Sequence, residues 1–298
     1  MGIGGAKGCL PFNLVVDGGY CIGCGACAAV TGSSAEIFLD GNGRYQAKLS
    51  AFSPPGVEER MLSVCPFSGK GPDETALGKD LFGKHASYDP YIGYHMACYA
   101  GHVAEGNYRD NGSSGGMGTW ILTELLSRGL IDRVLHVRES RDGKTLFQYG
   151  VSSTIEEITG AAKSRYYPVE MSGVLQYVRD NPGRYAIVGV PCFIKAVRLL
   201  CQTEPVFRER VQYCVGLVCG HLKSTFFAEM IAMQVGFDVS KLKSIHFRKK
   251  LPGRPANDYG VEVTGLDERN NEKTVVKPTQ ELFGTDWGHG FFKYNACD

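Results

Sequence analysis

The residues Cys21-Ile22-Gly23-Cys24-Gly25-Ala26-Cys27 place a cysteine at every third position. Two-residue spacers set successive sulfurs on one side of a tight loop. Gly23 and Gly25 allow dihedrals closed to other residues, and they let backbone N–H groups approach whatever the thiolates hold. Three thiolates so spaced suit three corners of a 4Fe-4S cubane, and the fourth must come from elsewhere. Cys65 precedes Pro66, and a Cys-Pro pair commonly closes ferredoxin-type runs; Cys9 is the alternative. Thr31-Gly32 stands where the bacterial ferredoxin pattern has Cys-Pro, so one cluster is expected here, closed by a distant residue. A zinc site competes with this reading, but zinc usually takes two ligand pairs across a longer spacer.

Further cysteines follow apolar runs. Val190-Pro191-Cys192 and Leu217-Val218-Cys219 each end a stretch that reads as a buried strand, and Cys297 lies next to the C-terminal Asp298. Cysteines at the carboxyl ends of neighbouring strands would meet at the edge where α/β proteins bind ligands. Each alone is equally an ordinary buried thiol, the assignment given to Cys98, Cys201 and Cys214. Two other segments could hold an anion. Arg109–Thr119, rich in glycine and serine, runs into a helix start, where Ser113, Ser114, Gly115, Gly116 and Thr119 would present N–H and hydroxyl donors to a flavin or nucleotide phosphate. Its spacing is neither that of a Rossmann fingerprint nor that of a P-loop. Lys163-Ser164-Arg165-Tyr166, read as a helix end, suits either helix carbonyls or a diphosphate with a ring against Tyr166. His95 and His221 are acid–base candidates only in the weak sense that any lone histidine is, so the catalytic residue stays unknown.

Residues 1–90 are punctuated by Asp40-Gly41-Asn42-Gly43, Ser53-Pro54-Pro55-Gly56 and Ser68-Gly69-Lys70-Gly71-Pro72. Such a stretch can hardly build a core without a staple, which a cluster would provide. It is therefore taken as an N-terminal cluster-binding region of ferredoxin-like character, with 91–298 as a larger α/β domain on a mixed sheet. Within the latter the pattern predicts helices over 117–128, from the Ser153-Thr154-Ile155-Glu156 capping box onward, from a Ser172 cap to Asn181, and over 193–200 and 224–235. It predicts strands over 134–137, 185–190, 211–218, 245–248, 260–264 and 274–277. The chain has 298 residues, a formal net charge of +1 and eleven cysteines. An odd cysteine count in a chain this long argues against a secreted disulfide scaffold. Near-neutral charge gives no sign of nucleic-acid or anionic-membrane binding. With no spanning apolar run, no signal-type leader and Ala6 where a myristoylation site needs Ser or Thr, a cytoplasmic protein is expected.

Taken in order, Cys21–Cys27, Cys65-Pro66, Ser113-Ser114-Gly115-Gly116-x-x-Thr119, Lys163–Tyr166, Gly189-Val190-Pro191-Cys192, Gly216-Leu217-Val218-Cys219 and Cys297 resemble the coenzyme F420 hydrogenase/dehydrogenase beta-subunit family. That family includes 7-hydroxymethyl chlorophyll a reductase. The resemblance implies FAD bound by the α/β domain, with Ser114, Gly115, Gly116 and Thr119 in the flavin loop and Lys163 and Tyr166 in a second flavin-side segment. It implies a second 4Fe-4S cluster on Cys192, Cys219 and Cys297, whose last ligand would fall three residues past Cys297; the sequence as given then looks truncated. The activity implied is an oxidoreductase passing electrons between clusters and FAD to reduce or oxidise an organic substrate or deazaflavin, with a non-catalytic electron-relay subunit as the alternative. The partners implied are ferredoxin or another redox subunit and a small-molecule substrate; self-association into a homo-oligomer is left open.

Overall fold

The computed structural model describes residues 12–50, 53–141, 143–267 and 269–297; Cys9 and Ala6 lie outside them. Helix α1 (Phe12–Asp17) leads into the cysteine loop, which ends in a short 3₁₀ turn at Cys27–Ala29. An antiparallel hairpin follows, β1 (Ala35–Leu39) with β2 (Tyr45–Leu49). The Asp40–Gly43 connector is its turn: Asp40 accepts from the Asn42 and Arg44 N–H groups through Oδ1, and Gly43 takes φ +67°. Helices α2 (Val57–Val64) and α3 (Glu74–Phe82) come next, then a second small hairpin, β3 (Ser87–Asp89) with β4 (Gly93–His95).

The α/β part opens with α4 (Tyr108–Asn111) and α5 (Met117–Ser127). Its sheet has the order β6-β5-β7-β8, built from β5 (Arg133–Glu139), β6 (Phe147–Ser152), β7 (Tyr185–Gly189) and β8 (Val211–Gly216). β5 pairs antiparallel with β6 and parallel with β7, and β7 runs parallel to β8, so the expected mixed sheet is present. The parallel pairs require crossovers, supplied by α6 (Ile155–Gly160) and α7 (Ser172–Asp180) between β6 and β7, and by α8 (Pro191–Thr203) and α9 (Pro205–Arg210) between β7 and β8. After α10 (Thr225–Gln234), strands β9 (Leu242–Lys250), β10 (Tyr259–Leu266) and β11 (Glu272–Pro278) form an antiparallel sheet ordered β11-β10-β9.

Two local expectations shift by one residue. Thr154, not Ser153, caps α6: its hydroxyl accepts from Glu157 N at 3.2 Å while Glu157 Oε2 accepts from Ser153 N at 2.9 Å. Ser172 is the first residue of α7 rather than its cap, and its N–H donates to Glu170 Oε2 at 2.5 Å. Strand β6 was not anticipated, although Phe147, Tyr149 and Val151 alternate with Gln148, Gly150 and Ser152 as the residues of a half-buried strand do. The N-terminal residues Phe12, Ile22, Met61 and Val64 pack in the same core as Leu135, Tyr185, Ile187, Ala196 and Leu200. The cysteine loop is thus seated on the α/β sheet's helices rather than on a core of its own.

Candidate functional site

Two pieces of chain converge below α7. The first is the cysteine loop. Gly23 and Gly25 take φ +61° and +86°, a region that penalises any Cβ. A Cβ on Gly25 would also stand 2.6 Å from Ser172 N, and one on Gly23 would strike the backbone of Tyr45. Met171 N donates to Cys24 O at 3.0 Å, pinning the loop to the start of α7, and Gly23 N points at Cys21 Sγ from 3.4 Å. The second piece is the end of α2, where Cys65 is the C-cap residue and turns the chain out in extended conformation. Cys21, Cys24, Cys27 and Cys65 together line one cavity of about 30 Å³, with Pro66 and Ile22 among its other walls.

The electrostatics of that cavity match its donor set. Burial pushes the Cys24 thiol well up, and Cys27, Cys65 and Cys21 add to the rise. Cys27 and Cys21 are raised by the same desolvation, and Cys65 is pushed up to about 11, again chiefly by burial with Cys21 contributing. Four thiols facing one apolar space, Cys24 and Cys27 buried and Cys21 and Cys65 half-buried, are costly as thiolates unless a cation compensates them. Among the described residues, no group of three or more His, Cys, Asp or Glu side chains is placed to hold a single metal ion.

The second cysteine set also assembles. Cys192 sits in the first turn of α8, directly after β7, and Cys219 lies just beyond β8, the parallel neighbour of β7. Cys297 belongs to a terminal 3₁₀ turn, where its sulfur accepts from Leu222 N at 3.4 Å. Burial raises Cys192 to about 12, with Cys297 and Cys219 adding to it. Tyr149 of β6, stacked on Phe193 at 6.1 Å, is buried beside both sets: desolvation raises its hydroxyl, and Cys192 and Cys24 raise it further. Tyr149 was missed in the sequence, although the alternation of Phe147, Tyr149 and Val151 with Gln148, Gly150 and Ser152 was a usable signal for its strand.

The glycine-rich loop and the Lys163–Tyr166 segment meet as well. Ser164 N donates to Ser113 Oγ at 2.9 Å. Gly116 caps α5 at φ +82°, where a Cβ would lie 2.6 Å from the Tyr108 carbonyl. Lys250, at the end of β9, donates to Ser114 O at 3.2 Å and to Arg109 O. Burial lowers the Lys163 ammonium, and Lys249, Arg165 and Lys250 push it further down. Lys250 thus stands against the loop, while Lys249, near Lys163, is paired with Glu262 Oε2 at 2.6 Å. Lys163–Tyr166 lies past the end of α6 at Gly160, so it does not cap that helix. Arg165 turns inward instead, over the Phe147 ring at 4.7 Å, with Nε and Nη1 buried and lacking hydrogen-bond partners; burial lowers it to about 10. Tyr166 packs edge-on against Trp287 at 4.6 Å and also against Phe247. Lys249 and Lys250 were missed in the sequence, although the run Arg248-Lys249-Lys250 closing a strand was a usable signal.

These are parts of a recognisable protein type. The N-terminal model of the coenzyme F420 hydrogenase/dehydrogenase beta subunit matches residues 98–176, and the C-terminal model matches residues 183–297. The chain belongs to this family. A chain of the F420-reducing NiFe hydrogenase complex from Methanosarcina barkeri, solved as a xenon derivative, is similar at 22% identity with a TM-score of 0.47, over 65% of this chain and 64% of its own length. This chain therefore spans under two thirds of that structure. No curated protein matches it. The family matches include the serine–glycine loop, Lys163–Tyr166, Cys192, Cys219 and Cys297; the Cys21–Cys27 loop and Cys65 precede them. His95 Nδ1 lies 3.2 Å from the Gly93 carbonyl, within the β3–β4 hairpin. The His221 ring lies tilted against Trp287, with centroids 4.3 Å apart. Among the described residues no helix is long and apolar enough to cross a membrane.

Proposed function

We propose that this F420 hydrogenase beta-subunit-like protein is an iron–sulfur flavoprotein that exchanges electrons between a 4Fe-4S cluster and FAD, and through them between ferredoxin or another redox subunit and a small-molecule substrate. The observation that carries the reading is the meeting of Cys21, Cys24 and Cys27 with Cys65 around one cavity, from segments far apart in sequence. Those four side chains would hold the cluster, and Cys192, Cys219 and Cys297 would supply three ligands of a second. A cubane is larger than one ion, so its ligands stand further apart than those of a zinc ion bound at ~2.3 Å. FAD would lie along Ser113, Ser114, Gly115, Gly116 and Thr119, with its diphosphate facing the α5 N-terminus and the Lys163, Lys249 and Lys250 ammonium groups. When bound, the clusters supply one-electron transfer and the flavin supplies the step between one- and two-electron chemistry.

The chain's own residues do the positioning. Gly23 and Gly25 allow backbone N–H groups to face the sulfurs, Met171 fixes the loop against α7, and the cavity's apolar walls exclude water. Excluding water and adding hydrogen bonds to sulfur are the two levers by which a protein sets a cluster's potential. Lys250 ties the flavin loop to β9, and Ser164 ties it to the second flavin-side segment. The test is anaerobic purification followed by iron, acid-labile sulfide and flavin analysis. Wild-type protein is expected to hold all three. Cys24→Ala is expected to lose the broad visible absorption of the N-terminal cluster while retaining flavin. Full iron content in that variant would overturn the ligand assignment, and zinc in place of iron would overturn the redox reading.

A further inference from the structure

The run Asp286-Trp287-Gly288-His289-Gly290 has the composition of a turn, since aspartate accepts from free N–H groups and glycine tolerates the left-handed region. It folds as a 3₁₀ turn over Trp287–His289: Asp286 Oδ1 accepts from Gly288 N at 2.8 Å, and Gly290 follows at φ +62°. A turn tied in this way holds its tryptophan in one place. The indole is half-buried and packs against two partners. Tyr166 meets it edge-on, with ring centroids 4.6 Å apart and planes at 75°. On the other part of the ring lies the turn after β8: His221 is 4.3 Å away, and a Cβ on Gly220 would stand 3.9 Å from Trp287 Cε3. Gly220 and His221 directly follow Cys219.

Aromatic rings in contact have centroids ~4.5–7 Å apart, so both rings touch the indole with no room for water between. Tyr166, Trp287 and the Gly220-His221 turn therefore form one packed wall. Its two ends belong to different sites: Tyr166 to the Lys163–Tyr166 segment, Cys219 to the second cysteine set. The Lys223 ammonium, 2% exposed, sits 4.8 Å from the Trp287 ring and donates to Phe291 O at 2.6 Å, which clamps the chain after Cys219 to the same ring. Burial raises the Tyr166 hydroxyl; Arg248 offsets part of this and Cys219 adds to it, so the far end of Tyr166 also stands near that thiol. The Cys219 turn has little structure of its own: residues 217–222 lie outside any helix or strand, and Val218 is fully exposed. Packing against its neighbours holds it, and close-packed groups transmit strain to one another. Whatever fixes Tyr166 against the indole therefore also restrains Cys219.

We propose, on the strength of the cofactor reading of these two segments, that Trp287 is a positioning residue coupling the flavin site to the second cysteine set. A flavin seated along Lys163–Tyr166 restrains Cys219, and by reciprocity ligation of Cys219 tightens flavin binding. The experiment follows alkylation of Cys219 by iodoacetamide, read from its peptide by mass spectrometry. It uses the full chain freed of metal by a chelator, without FAD and with FAD at saturation; flavin retained through gel filtration reports binding. FAD is expected to slow Cys219 about tenfold in the wild type, an ordinary coupling between two sites, and to do the same in Trp287→Phe, which keeps a ring in this place. In Trp287→Leu with FAD bound, the slowing is expected to shrink to about twofold or less. Trp120→Phe leaves Trp287 as the single tryptophan of the chain's two, and FAD is expected to quench its emission. A wild type that binds FAD without slowing at Cys219 overturns the proposal and leaves the flavin reading standing. So does a Trp287→Leu variant that binds FAD and is slowed as much as the wild type. Unchanged Trp287 emission with FAD bound to Trp120→Phe overturns it as well, and this arm decides the matter if Trp287→Leu does not fold. If FAD does not bind the wild type at all, the flavin reading falls and the coupling falls with it.

Discussion

Glu204 is the place where the cysteine loop is fastened to the rest of the protein, and removing its charge is expected to cost about 3 kcal/mol. Its carboxylate, only 5% exposed, accepts from Thr31 N at 3.1 Å and Thr31 Oγ1 at 2.7 Å, from Arg60 Nη1 at 3.3 Å and from Arg179 Nη2 at 3.2 Å. Arg60 and Arg179 also donate to the carbonyls of Thr31 and Ala29, so two cations and one anion grip the exit of the loop. In Glu204→Gln the shape survives, but the carboxamide must turn its NH₂ group toward donors on one side or the other. Hydrogen bonds to a charged group are worth about 1.5–3 kcal/mol each, and the partly exposed Arg60 contributes at the low end; together with the misplaced NH₂ this gives the figure above. Urea unfolding should show it as a lower midpoint at unchanged slope, and thermal melting as a drop of roughly 6–9 °C.

Burial pushes the Glu204 carboxyl up, but the hydrogen bonds from Thr31 and the Arg179 guanidinium outweigh it, so its pKa lies below the ordinary carboxyl range. A lowered folded pKa means that the unfolded chain binds the extra proton. The clamp therefore stabilises fully above the ordinary glutamate pKa of about 4.3 and is lost as pH falls through the folded value. The gap between wild type and Glu204→Gln should accordingly be constant from neutral pH to about pH 5 and close below about pH 4. A gap under about 1 kcal/mol at pH 7, or one that widens in acid, refutes the reasoning.

Gly25→Ala puts a Cβ at φ +86° against Ser172 N, which should cost about 2 kcal/mol or more and expose Cys24 and Cys27 to faster alkylation. Unchanged urea unfolding together with wild-type alkylation rates would show that the loop has other room. Lys250→Met removes the ammonium that holds the Ser114 and Arg109 carbonyls. It is expected to weaken FAD binding about tenfold, or about 1.4 kcal/mol, in a fluorescence titration while the apoprotein's melting temperature stays within a few degrees; an unaltered flavin affinity would remove Lys250 from the site.

The three-residue spacing of Cys21, Cys24 and Cys27, with glycines between them, determined by itself that three thiols share one tight loop, because spacing and dihedral freedom are local properties. The alternation of strands and helices after residue 117 likewise announced a layered α/β unit, since hydrophobic period reports on each element separately. Caps were misplaced by a residue, at Thr154 and Ser172, because several polar side chains compete for the same N–H groups. Which fourth cysteine reaches the loop was not a local matter: Cys65 joins it only because α2 and the loop pack in one core with α8. Lys250, Tyr149 and Glu204 belong to the same class. Lys250 and Glu204 act on residues more than one hundred positions away, and Tyr149 lies beside Cys24 and Cys192, which come from two other parts of the chain. Local sequence determines conformation through dihedrals and period, whereas a site made of groups far apart in the chain exists only once burial has brought them together.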